Sequence, residues 1–274
     1  MAYKHKKKYG QNFLTNASDV LDRIIEVSGV VFSDAIVEIG PGEGALTELL
    51  LEHGKKVICM EIDTDLEKIL RRKFDNNPKF TLLMGDVLQQ DFQEKVGEPV
   101  KVVANIPYYI TSPIVHKLID NRNIISEIYI MVQKEVAERI CAKKGKERSV
   151  LTLSVEYYGD AEYLFTIPKE DFEPVPKIDS AFMSIKLRKD NKYEKLVDEA
   201  TFFKYVKAAF ANKRKNILNN LSNLGFSKAE LKEKLETIGI EGNRRAESIS
   251  IDEYMELIRV LEEKKKQVKE TMEK

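Results

Sequence analysis

Three short stretches hold residues whose types and spacing could do chemistry. In the first, Glu38-Ile39-Gly40-Pro41-Gly42-Glu43-Gly44, glycines stand at every second position between an apolar run and a helical pattern. Such a turn lets the backbone close tightly on a ligand, and the following helix offers the positive end of its dipole. Gly40-x-Gly42-x-x-Ala45 matches the relaxed dinucleotide fingerprint, which is weak evidence alone. In the second, Glu61 closes the next apolar run, where a carboxylate could hold ribose hydroxyls. Asp86 closes the run after that, placed to accept a hydrogen bond from an adenine amino group. Glu38 is awkward beside a pyrophosphate. Any one of these acids is as well read as a helix cap or a solvated strand end, but three at successive strand ends are not. Glu38, Glu61 and Asp86 together form an acidic crescent. It suits a nucleoside cofactor with positive charge and no phosphate, namely S-adenosyl-L-methionine, which carries a sulfonium and an ammonium.

The third stretch, Asn105-Ile106-Pro107-Tyr108, ends a fourth apolar run. It resembles the Asn-Pro-Pro-Tyr-type motif of amino-methylating enzymes. The lone pair of an adenine N6 is delocalised into the ring, so the amine is a poor nucleophile. Hydrogen bonds accepted from both of its N–H groups push it toward tetrahedral geometry and free the pair. The resemblance gives those acceptor roles to the Asn105 side-chain oxygen and the Ile106 carbonyl. Tyr108 would stack on the base, and Pro107 would stiffen the turn. Displacement from a good leaving group rests on positioning and electrostatics, so no strong base is needed. A base inside a helix must first be extruded. Phe172, followed by Pro174 and Pro176, could stack on its other face, or could equally be a buried loop anchor.

These residues need a frame. Strand-like runs at Ala35, Lys55, Phe80, Val100 and Glu127 alternate with helical patterns, which predicts a parallel, doubly wound sheet. Open sheets of this kind bind ligands at the carboxyl ends of their strands. Ser149–Tyr158 and Ser180–Leu187 read as two last strands without a good helix between them, so the sheet should end in an antiparallel pair. Tyr109 has no evident chemistry. Ser112 and Pro113 read as the N-cap and first residue of the next helix. Beyond Leu187 the patterns are helical only, over roughly 201–221, 227–237 and 252–266. The expected fold class is therefore α/β: a mostly parallel Rossmann-like methyltransferase sheet with an antiparallel last strand, and a small all-helical C-terminal domain. The expected division is 1–187, including an N-terminal segment over 1–15, and 188–274.

Composition narrows the class further. The chain has 274 residues, long enough for a substantial core plus a smaller domain. No apolar run approaches the length of a membrane span, and no apolar core follows the basic N-terminus, so neither a membrane protein nor a secretory signal is expected. Two cysteines in apolar contexts suggest a reducing, cytoplasmic setting, and three scattered histidines offer no metal site. Net charge is zero, but residues 188–274 carry 20 basic against 16 acidic side chains. Phe203 to Ile217 has five basic residues and no acid, a patch able to meet a phosphate backbone, although most charge runs are solvated faces.

Taken in order, KKKYGQNFLTN, VEIGPGEGALTE, EID, GDV, ANIPYYITSPI, FEPVPKIDSA, AAFANKRKNILNNL and RRAESIS resemble the ribosomal RNA adenine N6,N6-dimethyltransferases, specifically the bacterial small-subunit (16S) type. The likeness runs from about Lys6 to Tyr254. It implies S-adenosyl-L-methionine-dependent dimethylation of two adjacent adenosines near the 3′ end of 16S rRNA during small-subunit assembly, by a monomer acting on a 30S (pre-)subunit. It implies catalytic roles for Asn105, Ile106, Pro107, Tyr108 and Phe172. It implies cofactor contacts at Asn12, Leu14, Gly40, Gly42, Glu61, Ile62, Asp86, Val87 and Asn105, with Gln11–Leu14 folded over the cofactor where pattern alone reads a helix lead-in. Lys207, Lys213, Arg214, Lys215, Arg244 and Arg245 would grip rRNA phosphates. The family more often has Leu at 106, a position expected to act through its carbonyl, and Asn and Arg at Ala211 and Lys213. Alternatives are the sister 23S rRNA adenine N6-methyltransferases linked to macrolide resistance, a non-catalytic rRNA-binding assembly factor, and a nicotinamide oxidoreductase. For the last, no residue set for hydride transfer is visible.

Overall fold

The computed structural model describes residues 12–14 and 18–272, with backbone only from residue 264. In chain order the elements are β1 (Phe13–Leu14), α1 (Ser18–Ser28), β2 (Ala35–Ile39), α2 (Ala45–His53), β3 (Lys56–Glu61), α3 (Thr64–Phe74), β4 (Phe80–Met84), α4 (Phe92–Lys95), β5 (Val100–Asn105), α5 (Thr111–Asp120), β6 (Ile125–Gln133), α6 (Lys134–Cys141), α7 (Val150–Tyr158), β7 (Gly159–Ile167), β8 (Phe172–Glu173), β9 (Ser180–Leu187), α8 (Glu199–Ala209), α9 (Ile217–Leu221), α10 (Lys228–Thr237) and α11 (Ile251–Met272).

Two compact units result. The first runs to Glu138 and resumes over Gly159–Arg188; the second takes Arg139–Tyr158 and the chain from Lys189 onward. In the first, seven strands lie in the order β4-β3-β2-β5-β6-β9-β7. β4 through β6 pair in parallel, and β9 runs antiparallel to both β6 and β7. All five residues of β2 are buried, as a parallel strand covered on both faces requires. The sheet's core gathers Ile36, Leu50, Val57, Leu66, Leu70 and Val103. A separate two-stranded ribbon pairs β1 with β8, Leu14 opposite Phe172.

The antiparallel ending forms, but with a different strand from the one read in the sequence. Ser149–Tyr158 is not a strand: its residues from Val150 form helix α7, and β7 follows it. Leu151, Thr152, Leu153, Ser154, Val155, Tyr157 and Tyr158 are all buried, so the helix has no polar face to display its period. α7 also belongs to the second unit, against the expectation of one boundary near Leu187. There Tyr157 stacks on Phe202 at 4.6 Å between ring centroids and donates its hydroxyl to the Val197 carbonyl at 3.0 Å. Tyr254, Leu257, Ile258 and Leu261 of α11 are buried as well.

The expected helix over 201–221 is broken. α8 stops at Ala209 and α9 starts at Ile217, with Asn216 capping it by accepting from the Asn219 N–H at 3.0 Å. Asparagine competes for backbone hydrogen bonds and so favours caps and turns over helix interiors. Ser112 is not an N-cap either. α5 begins one residue earlier, and the Thr111 hydroxyl donates to the Tyr108 carbonyl at 3.1 Å.

The third glycine of the loop is required by packing as well as by conformation. Gly44 precedes α2 at φ +89°, and a Cβ there would stand 2.4 Å from the Phe74 ring. Gly29, at φ +55°, has nothing within 4 Å of the same probe. Gly44→Ala should therefore cost about 2–4 kcal/mol, strain plus overpacking, and Gly29→Ala about 1–2 kcal/mol, strain alone. Urea unfolding of the two variants checks the difference.

Candidate active site and basic loop

The parallel ladder runs one residue past the strands, and this aligns the candidate residues. The N–H of Gly40 donates to the Met60 carbonyl at 2.9 Å, that of Gly85 to Glu61 at 2.7 Å, and that of Ile106 to Met131 at 3.4 Å. The glycine loop, Glu61-Ile62, Asp86-Val87 and Asn105-Ile106 are thus held in a row along the carboxyl edge. They border a cleft of about 210 Å³ that is partly open to solvent. Asn12, Gly40, Gly42, Glu61, Ile62, Asp86, Val87, Asn105, Ile106, Pro107 and Tyr108 all line it.

The acids are held by backbone N–H groups. One Glu61 oxygen accepts from the N–H of Ile62 at 2.9 Å and of Asp63 at 2.8 Å. Burial raises the Glu61 carboxyl above its ordinary range, against the pull of these donors and of the Gly42 N–H. Asp86 accepts from the Leu88 N–H at 2.9 Å, which fixes its turn. No cationic side chain is among the described residues that line the cleft.

Asn105 donates its side-chain N–H to the Asn12 carbonyl at 3.1 Å. That bond sets the amide plane and leaves the side-chain oxygen as an acceptor. The Ile106 side chain is buried, and among the described residues no donor reaches its carbonyl. Pro107, in an extended conformation, leads into the turn Tyr108–Ile110. The Tyr108 hydroxyl lies 2.5 Å from the Ser180 hydroxyl, which anchors its ring to the first residue of β9. Burial pushes the Tyr108 phenol upward, and the Ser180 hydroxyl partly offsets it.

Three expected residues stand elsewhere. Glu38 is not part of the crescent: it is 2% exposed and accepts from the Thr47 hydroxyl at 2.6 Å and the Cys59 thiol at 3.4 Å. Burial pushes its carboxyl up to about 7. Alternation along β2 turns this side chain into the core, which its position next to the glycines does not reveal. Phe172 is 1% exposed and sits in the sheet's core, so its ring is the loop anchor and not a face offered to a base. Leu14 lies opposite it in the ribbon and does not line the cleft. Gln11 falls outside the described residues.

Two contributors escape sequence reasoning. The Phe13 ring lies over Gly42, where a Cβ would be 2.4 Å from it, so the β1 strap is seated on the glycine loop. Ser180 anchors Tyr108 from 72 residues away. No local pattern signals either contact.

In the second unit, Lys213, Arg214 and Lys215 are exposed in the turn between α8 and α9, not on a helix, and Lys207 stands in the last turn of α8. Among the described residues none of the four makes an ion pair. Arg245 is exposed. Arg244 is committed within the fold. Its guanidinium donates to Glu253 Oε1 at 2.5 Å and Oε2 at 3.2 Å, to the Ser248 hydroxyl at 3.3 Å, and to the Ser248 carbonyl. Glu253 in turn accepts from the Ser250 N–H at 2.7 Å, and the Ser250 hydroxyl from the Glu253 N–H at 3.2 Å, a capping box at the start of α11. An arginine so engaged has little left for a phosphate, so Arg244 is reassigned from RNA contact to holding this corner.

Burial pushes the Glu253 carboxyl up, but the Arg244 guanidinium and the Ser250 groups more than reverse this and hold it below the ordinary range. A depressed carboxyl contributes stability above its unfolded value of about 4.5, and loses it as pH falls through the folded one. Arg244→Ala should cost about 1–3 kcal/mol at neutral pH. Chemical denaturation across pH 3 to 7 should show the cost shrinking toward the acid end, where the wild-type protein has already lost the pair.

A family model described as ribosomal RNA adenine dimethylase matches residues 2–263. The Ribosomal RNA small subunit methyltransferase A of Fusobacterium nucleatum subsp. nucleatum is 61% identical over 262 residues, 96% of this chain and 99% of the relative. That of Mesoplasma florum is 38% identical, covering 94% of this chain and 98% of its own. Among solved structures, a dimethyladenosine transferase from Plasmodium falciparum superposes with TM-score 0.75 at 27% identity, over 93% of this chain and 98% of that one. The 23S rRNA methyltransferase ErmE superposes with TM-score 0.74 at 26% identity, over 90% and 98%. The sheet order and the Asn105–Tyr108 corner thus occur in a chain matched almost end to end by one family model, and the protein belongs to the ribosomal RNA adenine dimethylase family.

Proposed function

We propose that the protein uses S-adenosyl-L-methionine to dimethylate N6 of two adjacent adenosines near the 3′ end of 16S rRNA during small-subunit biogenesis. The observation that carries this is the Asn105 corner: an amide pinned through its nitrogen, next in sequence to Ile106, whose carbonyl no donor among the described residues reaches. Two acceptors on adjacent residues match the two N–H groups of an exocyclic adenine amine. The choice of the small subunit is supported by 61% identity to a small-subunit enzyme over nearly the full chain, against 26% to ErmE.

The cleft fits the cofactor. Glu61 and Asp86 bring negative charge and no cationic side chain among the described residues lines it, which favours a sulfonium over a phosphate-bearing nucleotide. Glu61, oriented by backbone N–H groups, would hold ribose hydroxyls. Asp86 would accept from the adenine amino group, with Ile62 and Val87 beside it in the lining. Gly40 leaves room for the backbone to approach, and Asn12 crosses at the Asn105 side. When bound, S-adenosyl-L-methionine supplies an electrophilic methyl group.

The remaining work belongs to the chain. Asn105 Oδ1 and the Ile106 carbonyl accept from the target amine and localise its lone pair. Tyr108, its hydroxyl tied to Ser180, holds the base flat by stacking, and Pro107 fixes the angle between acceptors and ring. The surplus proton leaves the amine to water after transfer, and no strong base is needed. Lys207, Lys213, Arg214, Lys215 and Arg245 meet rRNA phosphates and position the substrate without reading its sequence.

Incubation with labelled S-adenosyl-L-methionine and under-methylated 30S or 50S particles, followed by mapping of the modified base, tests the assignment. Label should appear in two neighbouring adenosines of 16S rRNA, and label confined to 23S rRNA would contradict it. Tyr108→Ala should slow transfer about 10- to 100-fold while the cofactor Kd moves less than about three-fold. Equal loss of both would remove the stacking role.

A further inference from the structure

The turn between α8 and α9 carries three cations and no acid, yet it is not a loose loop. Its form depends on a buried side chain in the next helix. Asn220, 1% exposed, directs its amide nitrogen at three carbonyls: Ala209 at 2.6 Å, Asn212 at 3.0 Å and Lys215 at 3.4 Å. These are the end of α8 and two points within the turn. Around this centre, Asn212 Oδ1 accepts from the Arg214 N–H at 3.2 Å, and the Lys215 N–H donates to the Asn212 carbonyl at 3.0 Å. α9 itself is tied to the segment before α11, because the Ile217 N–H donates to the Arg244 carbonyl at 2.8 Å. The same anchor brings the backbone next to Arg245 toward the turn.

The Asn220 oxygen is buried and has no hydrogen-bond partner among the described residues. An orphaned buried acceptor is a cost, and an apolar side chain of the same size would avoid it. Leucine would avoid that cost but would leave the three carbonyls without this donor. What asparagine adds is a donor for the turn, and the turn's outer face consists of Lys213, Arg214 and Lys215. Phosphate contacts need fixed cations, because every side chain and loop that must be ordered on binding subtracts from affinity.

We propose that Asn220 is a positioning residue for rRNA binding: its buried amide holds the Ala209–Lys215 turn so that Lys213, Arg214 and Lys215, with Arg245, present a preformed cationic rim to the rRNA backbone. This rests on the rRNA-methylating function proposed above. The test compares Asn220→Leu with the Lys213→Ala/Arg214→Ala/Lys215→Ala triple variant in the full-length protein, using under-methylated 30S particles. Asn220→Leu removes the donor to three carbonyls, so it should lower the melting temperature modestly and leave S-adenosyl-L-methionine affinity unchanged. It should raise KM for the particle about five- to ten-fold with kcat within about two-fold, and speed amide exchange at Arg214 and Lys215. Adding Asn220→Leu to the triple variant should have little further effect on KM. If the triple variant raises KM and Asn220→Leu does not, the positioning role is overturned while the rim stands. If the triple variant leaves KM unchanged, the rim is not an rRNA contact and the positioning role falls with it, although methylation by the intact protein stands independently. If Asn220→Leu lowers the melting temperature and cofactor affinity together, its role is structural and the proposal fails. Asn220→Gln, a second probe, should restore part of the KM if the donor is what matters.

Discussion

The hydrogen bond from the Asn105 amide to the Asn12 carbonyl joins residues 93 positions apart and decides what the cleft can do. An asparagine at a strand end can rotate, and a rotating amide presents donor and acceptor in turn. Pinned through its nitrogen, it holds its oxygen in one place as an acceptor. The bond makes the N-terminal strap part of the candidate site, because the strap's backbone sets the orientation of the side chain proposed to meet the target amine. The strap is itself held twice, by pairing with β8 and by the Phe13 ring on Gly42. Gly42 thus admits a neighbouring side chain as much as a ligand.

The parallel sheet turns this single bond into a site. Because the ladder continues past each strand into its loop, the glycine turn, Glu61, Asp86 and Asn105 fall in line at one edge. The electrostatics of that edge are one-sided: two carboxylates and no cation among the described lining residues. A third carboxylate, Glu38, lies behind the loop in the core, bonded to Thr47 and Cys59, where burial favours its neutral form. It is better understood as a strut between β2, α2 and β3 than as a partner of a cationic ligand. In the second unit the charges divide similarly. Arg244 is spent on Glu253 and Ser248, while the cations on the α8–α9 turn make no ion pair among the described residues and sit on a frame built by asparagines.

Most of the first unit was legible because its signals are local. Apolar runs ending in glycine or an acid mark parallel strands, and the Asn105–Tyr108 motif names its own chemistry. The misreadings have two causes: a partner distant in sequence, or a nearby side chain that bonds the backbone and breaks a helix. α7 is buried all round, so Ser149–Tyr158 shows the alternation and β-branched content of a strand. The run over 201–221 looks like one helix until Asn212, Asn216 and Asn220 are seen to serve a turn. Phe172 looks like a platform beside two prolines but is a core residue. The cleft's acids were found by their place at strand ends, whereas inward or outward facing, which separates Glu38 from Glu61, follows from the packing of α2. The strap over Gly42 has no signal in spacing at all.

The central claim is that the Asn105 oxygen, oriented by the Asn12 carbonyl, accepts from the target amine. It is tested most directly by single-turnover methyl transfer to under-methylated 30S particles with Asn105→Ala, alongside the cofactor Kd of the same variant. The account predicts a fall in transfer of about 100-fold or more with a Kd change under about five-fold, because the interaction acts on the reacting amine. A transfer rate within a few-fold of wild type at saturating cofactor would contradict it.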